Sequence, residues 1–467
     1  MPPTCCGCLS QYTHHHLVAF LLTFFSYVLL HASRKTFSNV KVSISAQWTP
    51  SFQNESLSPG LTWEDNHLFA DEEQATLFLG ALDSIFLFSY AVGLYLSGVI
   101  GDRVNLRYVL SFGLCGSAAV EFLFGTVTEW LNIYNVYLYC SLWVLNGLLQ
   151  SAVWPCVVAV MGNWFGKTGR GFVFGLWSAC APVGNILGAF LASSVLKYGY
   201  EYAFLVTSVV QFAGGVVVFF GLLASPKEVG KGKILQGASH HYLIHPDEPL
   251  AESAKAISFC QAFLLPGVLP YSLAYACLKL VNYSFFFWLP FYLNNNYGWK
   301  ETEADRLSVW YDVGGIIGGT IQGLISDFMG KRAPVVAVSL VLAMGALVGY
   351  SRSPNDQVIN AVLLANTGFF IGGPSAMISS AISADLGRQE ALRGSQEALA
   401  TVTGIVDGTG SIGAAGGQVS KSSLQGKLCV IYQKNALTFG SIVFIIPLLV
   451  REVRTMWLER QVRRHQL

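Results

Sequence analysis

Two ten-residue stretches decide the fold: GVIGDRVNLR at residues 98–107 and GLISDFMGKR at residues 323–332. In the first, Gly98 stands four residues before Asp102, with Arg103 and Arg107 beyond it. In the second, Gly323 stands four residues before Asp327, with Lys331 and Arg332 beyond it. Each group closes the second long apolar run of its half of the chain. Glycine lets two helices approach closely. A carboxylate at a helix end, with cations just after it, can hold two helices together in one conformation and release them in another. One such group is a weak signal; two at corresponding places indicate a duplicated unit.

The rest of the chain supports that reading. It has 467 residues, 53% hydrophobic and only 12% charged, with mean hydropathy +0.49, whereas soluble globular chains carry about 25% charged residues. The fold class is therefore an all-α polytopic membrane protein. Twelve candidate spans are predicted at 17–36, 75–100, 107–128, 135–160, 171–196, 201–224, 263–294, 306–328, 333–350, 358–383, 397–419 and 436–451. The last is atypical: it gives about 24 Å of helix against about 30 Å of hydrocarbon. A net charge of +1 gives no case for nucleic acid as a partner; the lipid bilayer is the expected one. The ten cysteines are read mainly as small buried hydrophobes. Cys5, Cys6 and Cys8 are read as part of a cytosolic tail, and His14, His15 and His16 lack partner ligands for a metal. No nucleotide loop or nucleophile setting stands out, so neither an enzyme nor a cofactor is expected.

A polar stretch near 225–258 divides the spans six and six. The expected organisation is a cytosolic tail at 1–16 and a first bundle at 17–224 containing a long luminal loop at 37–74. A central cytosolic loop at 225–262, a second bundle at 263–451 and a basic cytosolic tail at 452–467 complete it. Lys and Arg concentrate in the loops that this topology places in the cytosol. Asn54, in Asn54-Glu55-Ser56, is then a glycosylation acceptor on the luminal side. The same tripeptide pattern at Asn282 lies within a span and is expected to stay unmodified.

Inside the apolar runs lie cations, and burying a cation at membrane depth costs roughly 2.5–3.5 kcal/mol on insertion scales. Arg34 and Lys35 close the first run, and Lys279 lies well inside the seventh. Arg34 precedes Asp102 by 68 residues and Lys279 precedes Asp327 by 48, so the two occupy corresponding spans if the first half has a loop about 20 residues longer, which 37–74 supplies. One cation from each half suits an anion bound between the halves. Arg34 and Lys35 are adjacent, so only one faces the bundle axis squarely; Arg34 is expected as the ligand and Lys35 as its support. Lys279 has an alternative, pairing with an intramembrane carboxylate from among Asp83, Glu121, Asp312 and Asp407. Asp83 or Asp312 as a proton carrier would instead make a symporter. Trp154, Trp177 and His31 read as packing or span-end residues.

The motifs resemble the major facilitator superfamily and, within it, the sugar phosphate exchanger family of organophosphate:phosphate antiporters. Ser33-Arg34-Lys35-Thr36-Phe37-Ser38 is similar to that family's first-span motif. Asn146-Gly147-Leu148-Leu149-Gln150, followed by Trp154-Pro155 and Trp164-Phe165, is similar to its fourth-span signature. Lys279 matches its seventh-span basic residue. The resemblance implies exchange of a phosphorylated sugar for inorganic phosphate across the endoplasmic reticulum membrane, with Arg34 and Lys279 on the phosphate. An endosomal or lysosomal membrane, and a non-transporting subunit bound to an accessory membrane protein, are the alternatives. The chain departs from the pattern at Asn105 and Leu106, which precede Arg107 in a degraded loop motif. It departs again in the small residues of Trp177 to Pro182 and at Asn282 and Tyr283, which replace an acidic residue. These changes leave the anion clamp and alter what reads the rest of the substrate.

Overall fold

A chain that meets lipid must satisfy its backbone polar groups within its own helices, and the described residues form helices without a strand. The computed structural model describes residues 13–49, 68–165, 170–226, 228–229, 257–389, 398–419 and 427–465. Twelve long helical segments follow one another: α1 (His14–Asn39), α2 (Glu72–Gly101), α3 (Leu106–Trp130), α4 (Val136–Trp164), α5 (Phe172–Tyr198) and α6 (Tyr200–Gly221) in the first half. The second half has α7 (Val268–Tyr297), α8 (Glu301–Met329), α9 (Ala333–Ser351), α10 (Gln357–Leu386), α11 (Leu399–Val419) and α12 (Lys427–His465). Among the described residues nine of these are long and apolar enough to cross a membrane by composition alone. The other three, α7, α8 and α11, are diluted by the residues that matter most below, among them Lys279, Asp312 and Asp407. Outward-facing side chains such as Phe112, Phe190, Val209, Phe220, Val338 and Phe439 give the molecule an apolar exterior. The buried apolar side chains form two clusters, one dominated by each half.

The duplication is visible in packing. On α5, a Cβ added to Gly188 would meet the Ala32 carbonyl oxygen of α1 at 2.4 Å; on α11, one added to Gly413 would meet the Ala276 carbonyl oxygen of α7 at 2.5 Å. Glycine is required at both because nothing larger fits between the backbones. These glycines thus seat the first helix of each half against the fifth. The interval from Gly188 to Gly413 equals that from Asp102 to Asp327.

Three segments differ from the sequence expectation. The loop expected at 37–74 begins as helix: α1 runs to Asn39 and a short helix, Lys41–Trp48, follows. Ile44 and Trp48, one turn apart, are buried, and Trp48 stacks 4.9 Å from the Tyr139 ring. The twelfth span is longer than 436–451. Helix α12 is continuous, and its apolar part, Lys434–Glu459, has 26 residues, or about 39 Å at 1.5 Å per residue. Lys434 lies 3.7 Å over the Phe285 ring, so the helix admits a charge that a run of apolar letters would exclude. The expected tail from 452 onward is the end of the same helix. Asn54, the cysteines before residue 13 and most of the central loop lie outside the described residues.

Candidate functional site

The chain is buried without a break from Leu30 to Val40, through the end of α1, so Arg34 and Lys35 have no route to the membrane surface. The Arg34 guanidinium lies over the Tyr90 ring at 4.6 Å and the Phe86 ring at 5.2 Å, both on α2. Its Nε donates to Gln150 Oε1 at 2.9 Å and its NH1 donates to the Tyr283 hydroxyl at 3.1 Å. Its NH2 and the Tyr90 hydroxyl are buried and meet no partner in hydrogen-bond geometry among the described residues.

The fourth-span signature builds this setting. Asn146 and Gln150 are one turn apart and share a face of α4. Gln150 Nε2 donates to Glu121 Oε1 at 2.7 Å and to Asn146 Oδ1 at 3.2 Å, and Asn146 Nδ2 donates to the same Glu121 oxygen at 3.1 Å. The amide nitrogen is thereby spent, so the amide oxygen must face Arg34. Gly147 lets α2 in: a Cβ there would meet the Phe86 carbonyl oxygen at 2.7 Å. Pro155 has no N–H for the carbonyl of Ser151 four residues earlier, and Ser97 of α2 donates to that carbonyl at 3.0 Å instead. Trp154 packs at a tilt against Tyr27 at 4.5 Å and stacks on Trp177 at 5.4 Å.

Lys279 of α7 is buried opposite. Its Nζ donates to Asp407 Oδ1 and to Ser411 Oγ of α11, each at 2.8 Å. It lies 5.0 Å from the Tyr283 ring and 5.4 Å from the Tyr90 ring. Arg34 and Lys279, from opposite halves, therefore converge on the same two tyrosines. Tyr90 carries no motif that sequence alone would single out, and Tyr283 stands out only as a departure from the family pattern; that both face the two cations is seen only because the halves meet there. Of the four carboxylates named as partners for Lys279, Asp407 is the one that pairs with it. Asp83 forms an ion pair with Lys41, Glu121 holds Asn146 and Gln150, and Asp312 Oδ1 accepts from Asn185 Nδ2 at 2.7 Å.

Lys35 points elsewhere. Its Nζ donates to the Phe286 carbonyl oxygen at 2.7 Å, and Ser38 donates to the same oxygen at 3.2 Å. That carbonyl is available because Pro290, four residues on in α7, has no N–H to give it. Lys35 thus ties α1 to α7. Lys35, Tyr283 and Asp407 line a central cavity of about 110 Å³, with Arg34 behind Tyr283 and Lys279 behind Asp407.

At one end of the bundle the duplicated stretches bridge the halves. Asp102 accepts from the backbone N–H of Ala400 at 3.0 Å and of Thr401 at 2.8 Å, so it caps the start of α11. Asp327 accepts from the N–H of Phe172 at 2.7 Å, at the start of α5, and pairs with Arg332 at 2.9 Å. A carboxylate suits a helix N-terminus, where unpaired N–H groups and the dipole favour negative charge. Gly98 seats α2 on α11, where a Cβ would meet the Ala400 carbonyl oxygen at 2.8 Å. Helix α8 approaches α5 closely at Gly319 and Gly175, where a Cβ on Gly175 would meet the Gly319 carbonyl oxygen at 2.6 Å, and the Gly323 carbonyl accepts from Ser326. Arg103 is exposed, Arg107 bonds locally to Asn105 and Tyr108, and Lys331 pairs loosely with Glu459 at 3.5 Å.

Comparison with known proteins agrees with this architecture. The sequence pattern of the Major Facilitator Superfamily matches residues 22–418. Sugar phosphate exchanger 3 of Homo sapiens is 67% identical over 476 residues, covering 97% of this chain and 96% of that protein. The protein of the same name from Xenopus laevis is 64% identical, covering 97% of this chain and 96% of its own length. A glucose-6-phosphate exchanger of Danio rerio is 39% identical, covering 85% and 84%. The chain belongs to the major facilitator superfamily, in its sugar phosphate exchanger branch.

Proposed function

We propose that this chain is a secondary transporter that exchanges a phosphorylated sugar or other organophosphate anion for inorganic phosphate, with Arg34 and Lys279 as the phosphate ligands. The observation that carries the reading is their convergence from opposite halves on Tyr90 and Tyr283. A phosphate dianion is well matched by a guanidinium fork on one side and an ammonium on the other. In the structure Lys279 is already neutralised by Asp407. An arriving phosphate therefore replaces a carboxylate rather than relieving two bare cations, and Asp407 reclaims the lysine when phosphate leaves. That swap favours exchange over leak. The Asp102 and Asp327 caps at one end, and the tie of Lys35 and Ser38 to Phe286 beside the central cavity, are contacts between the halves that must open in turn as they rock. We place the protein in the endoplasmic reticulum membrane, with an endosomal or lysosomal membrane as the alternative that organelle fractionation decides.

The test is uptake of labelled phosphate into proteoliposomes. Uptake should require phosphate inside, yield to competing organophosphates outside, and fall by about two orders of magnitude or more in Arg34→Ala, as expected when one charged partner of a buried pair is removed. Equal uptake into liposomes without internal phosphate, or no loss in Arg34→Ala, would overturn the reading.

A further inference from the structure

The central cavity has two chemically different walls. One part of the lining, Tyr283 and Asp407, fronts Arg34 and Lys279. The other carries His31 and Asn185 from the first half and Asp312 from the second. These three form a chain across the interface. Asn185 Nδ2 donates to Asp312 Oδ1 at 2.7 Å, and Asn185 Oδ1 lies 2.9 Å from His31 Nδ1. With its nitrogen given to Asp312, the Asn185 oxygen must accept, so His31 carries its proton on Nδ1. The carboxylate thus takes its hydrogen bond from a neutral amide, with the charge of Lys35 acting on it across the cavity. Among the described residues that amide makes the only hydrogen bond to Asp312, whereas Asp407 is engaged by Lys279. At about 30 Å³ per water the cavity has room for roughly four waters, about the volume of a three-carbon organic body.

We infer that Asp312, positioned by Asn185, reads the end of the substrate remote from its phosphate. It selects phosphate-bearing anions whose remote end carries hydrogen-bond donors, hydroxyl or ammonium, over those that carry a second negative group there. A carboxylate accepts from either donor and repels another carboxylate, and like charges set against each other in a water-poor site are costly. Because Asn185 and Asp312 belong to different halves, the contact is also one that a bound donor strengthens as the halves close. This inference deepens the antiporter reading and rests on it for the placement of phosphate.

The experiment measures binding and exchange separately on the purified full-length chain. Binding is read as the rise in Tm with added inorganic phosphate, glycerol phosphate, phosphoethanolamine and 3-phosphoglycerate. Glycerol phosphate, phosphoethanolamine or both should act at concentrations about tenfold or more below 3-phosphoglycerate. In Asp312→Asn that gap should close to about threefold or less, while the concentration needed for inorganic phosphate changes by less than about twofold. Comparing the two donor-bearing compounds tells hydroxyl from ammonium recognition. A wild-type protein that binds 3-phosphoglycerate as well as either, or a gap that persists in Asp312→Asn, overturns the inference. If Asp312→Asn does not fold, the wild-type series alone still decides. Phosphate self-exchange in proteoliposomes tests the antiporter reading independently: its absence alongside the expected binding order would remove that reading and leave the role of Asp312 standing.

Discussion

Arg34 and Lys279 occupy corresponding helices of the two halves, yet the halves treat them differently. Arg34 is surrounded by neutral groups: two aromatic faces and an amide oxygen from the first half, and the Tyr283 hydroxyl from the second. The second half gives Lys279 a carboxylate and a hydroxyl. Glu121 stands behind Gln150, one layer from Arg34, and acts through the amide rather than by direct pairing. The contrast suits two jobs. A guanidinium without a directly paired carboxylate is a standing attraction for an anion, while an ammonium already paired is a site that an anion enters by substitution. Duplication supplied the positions, and divergence of the surroundings made one a receptor and the other an exchange point.

The contrast can be broken first at the cations. Lys279→Ala leaves Asp407 buried without a counter-ion, which costs about 3–5 kcal/mol, so Tm and expression should fall sharply. Adding Asp407→Ala should recover most of that stability without restoring transport. Equal Tm losses in the single and double variants would mean that the pair is not the unit described here. Arg34→Ala, by contrast, removes no one's counter-ion. Its Tm should shift less than that of Lys279→Ala even though exchange is lost just as fully, and thermal melts of the two variants side by side decide this. A smaller effect is expected behind Arg34. Gln150→Leu removes the charge-assisted hydrogen bond from Arg34, worth about 1.5–3 kcal/mol, together with the bonds Gln150 gives to Glu121 and Asn146, and should raise the KM for phosphate by at least about tenfold. An unchanged KM would show that Arg34 does not need orienting.

How much of this was legible beforehand differs by kind of residue. The helices and the duplication were readable, because apolar runs and the spacing of Asp102 and Asp327 are local facts. Arg34 and Lys279 were readable because a cation in an apolar run is conspicuous. Tyr90 was not: the chain has 20 tyrosines, and nothing local distinguishes it, while Tyr283 stood out only as a departure from the family pattern and not as a partner of Arg34. Asp407 could be narrowed to one of four carboxylates and no further, since the choice depends on Gly410 and Gly413 seating α11 against α7. The helical start of the expected 37–74 loop was hidden because the burial of Trp48 depends on Tyr139, nearly a hundred residues away. The twelfth helix looked short because Lys434 and Arg451 interrupt its apolar run.

Lys35 offers the mildest test, and it separates two meanings of a buried cation. If Lys35 is a tie and not a phosphate ligand, its partner is the carbonyl that Pro290 leaves open. Pro290→Ala restores an N–H that can re-form the helical bond to Phe286, so Lys35 and Ser38 must then compete for that oxygen. A single net hydrogen bond is worth about 0.5–1.5 kcal/mol, so the balance between closed and open should move by roughly twofold to tenfold. A Cβ added at Gly80 would lie 3.5 Å from the Trp288 ring across the same junction, and a cysteine placed there reports its opening to an impermeant thiol reagent. Labelling should accelerate within that range in Pro290→Ala and by less in Ser38→Ala, which removes one of the two side-chain donors. Phosphate affinity should stay unchanged in both, because neither substitution touches Arg34 or Lys279. A loss of phosphate affinity with no change in labelling would instead make Lys35 a ligand and place the tie elsewhere.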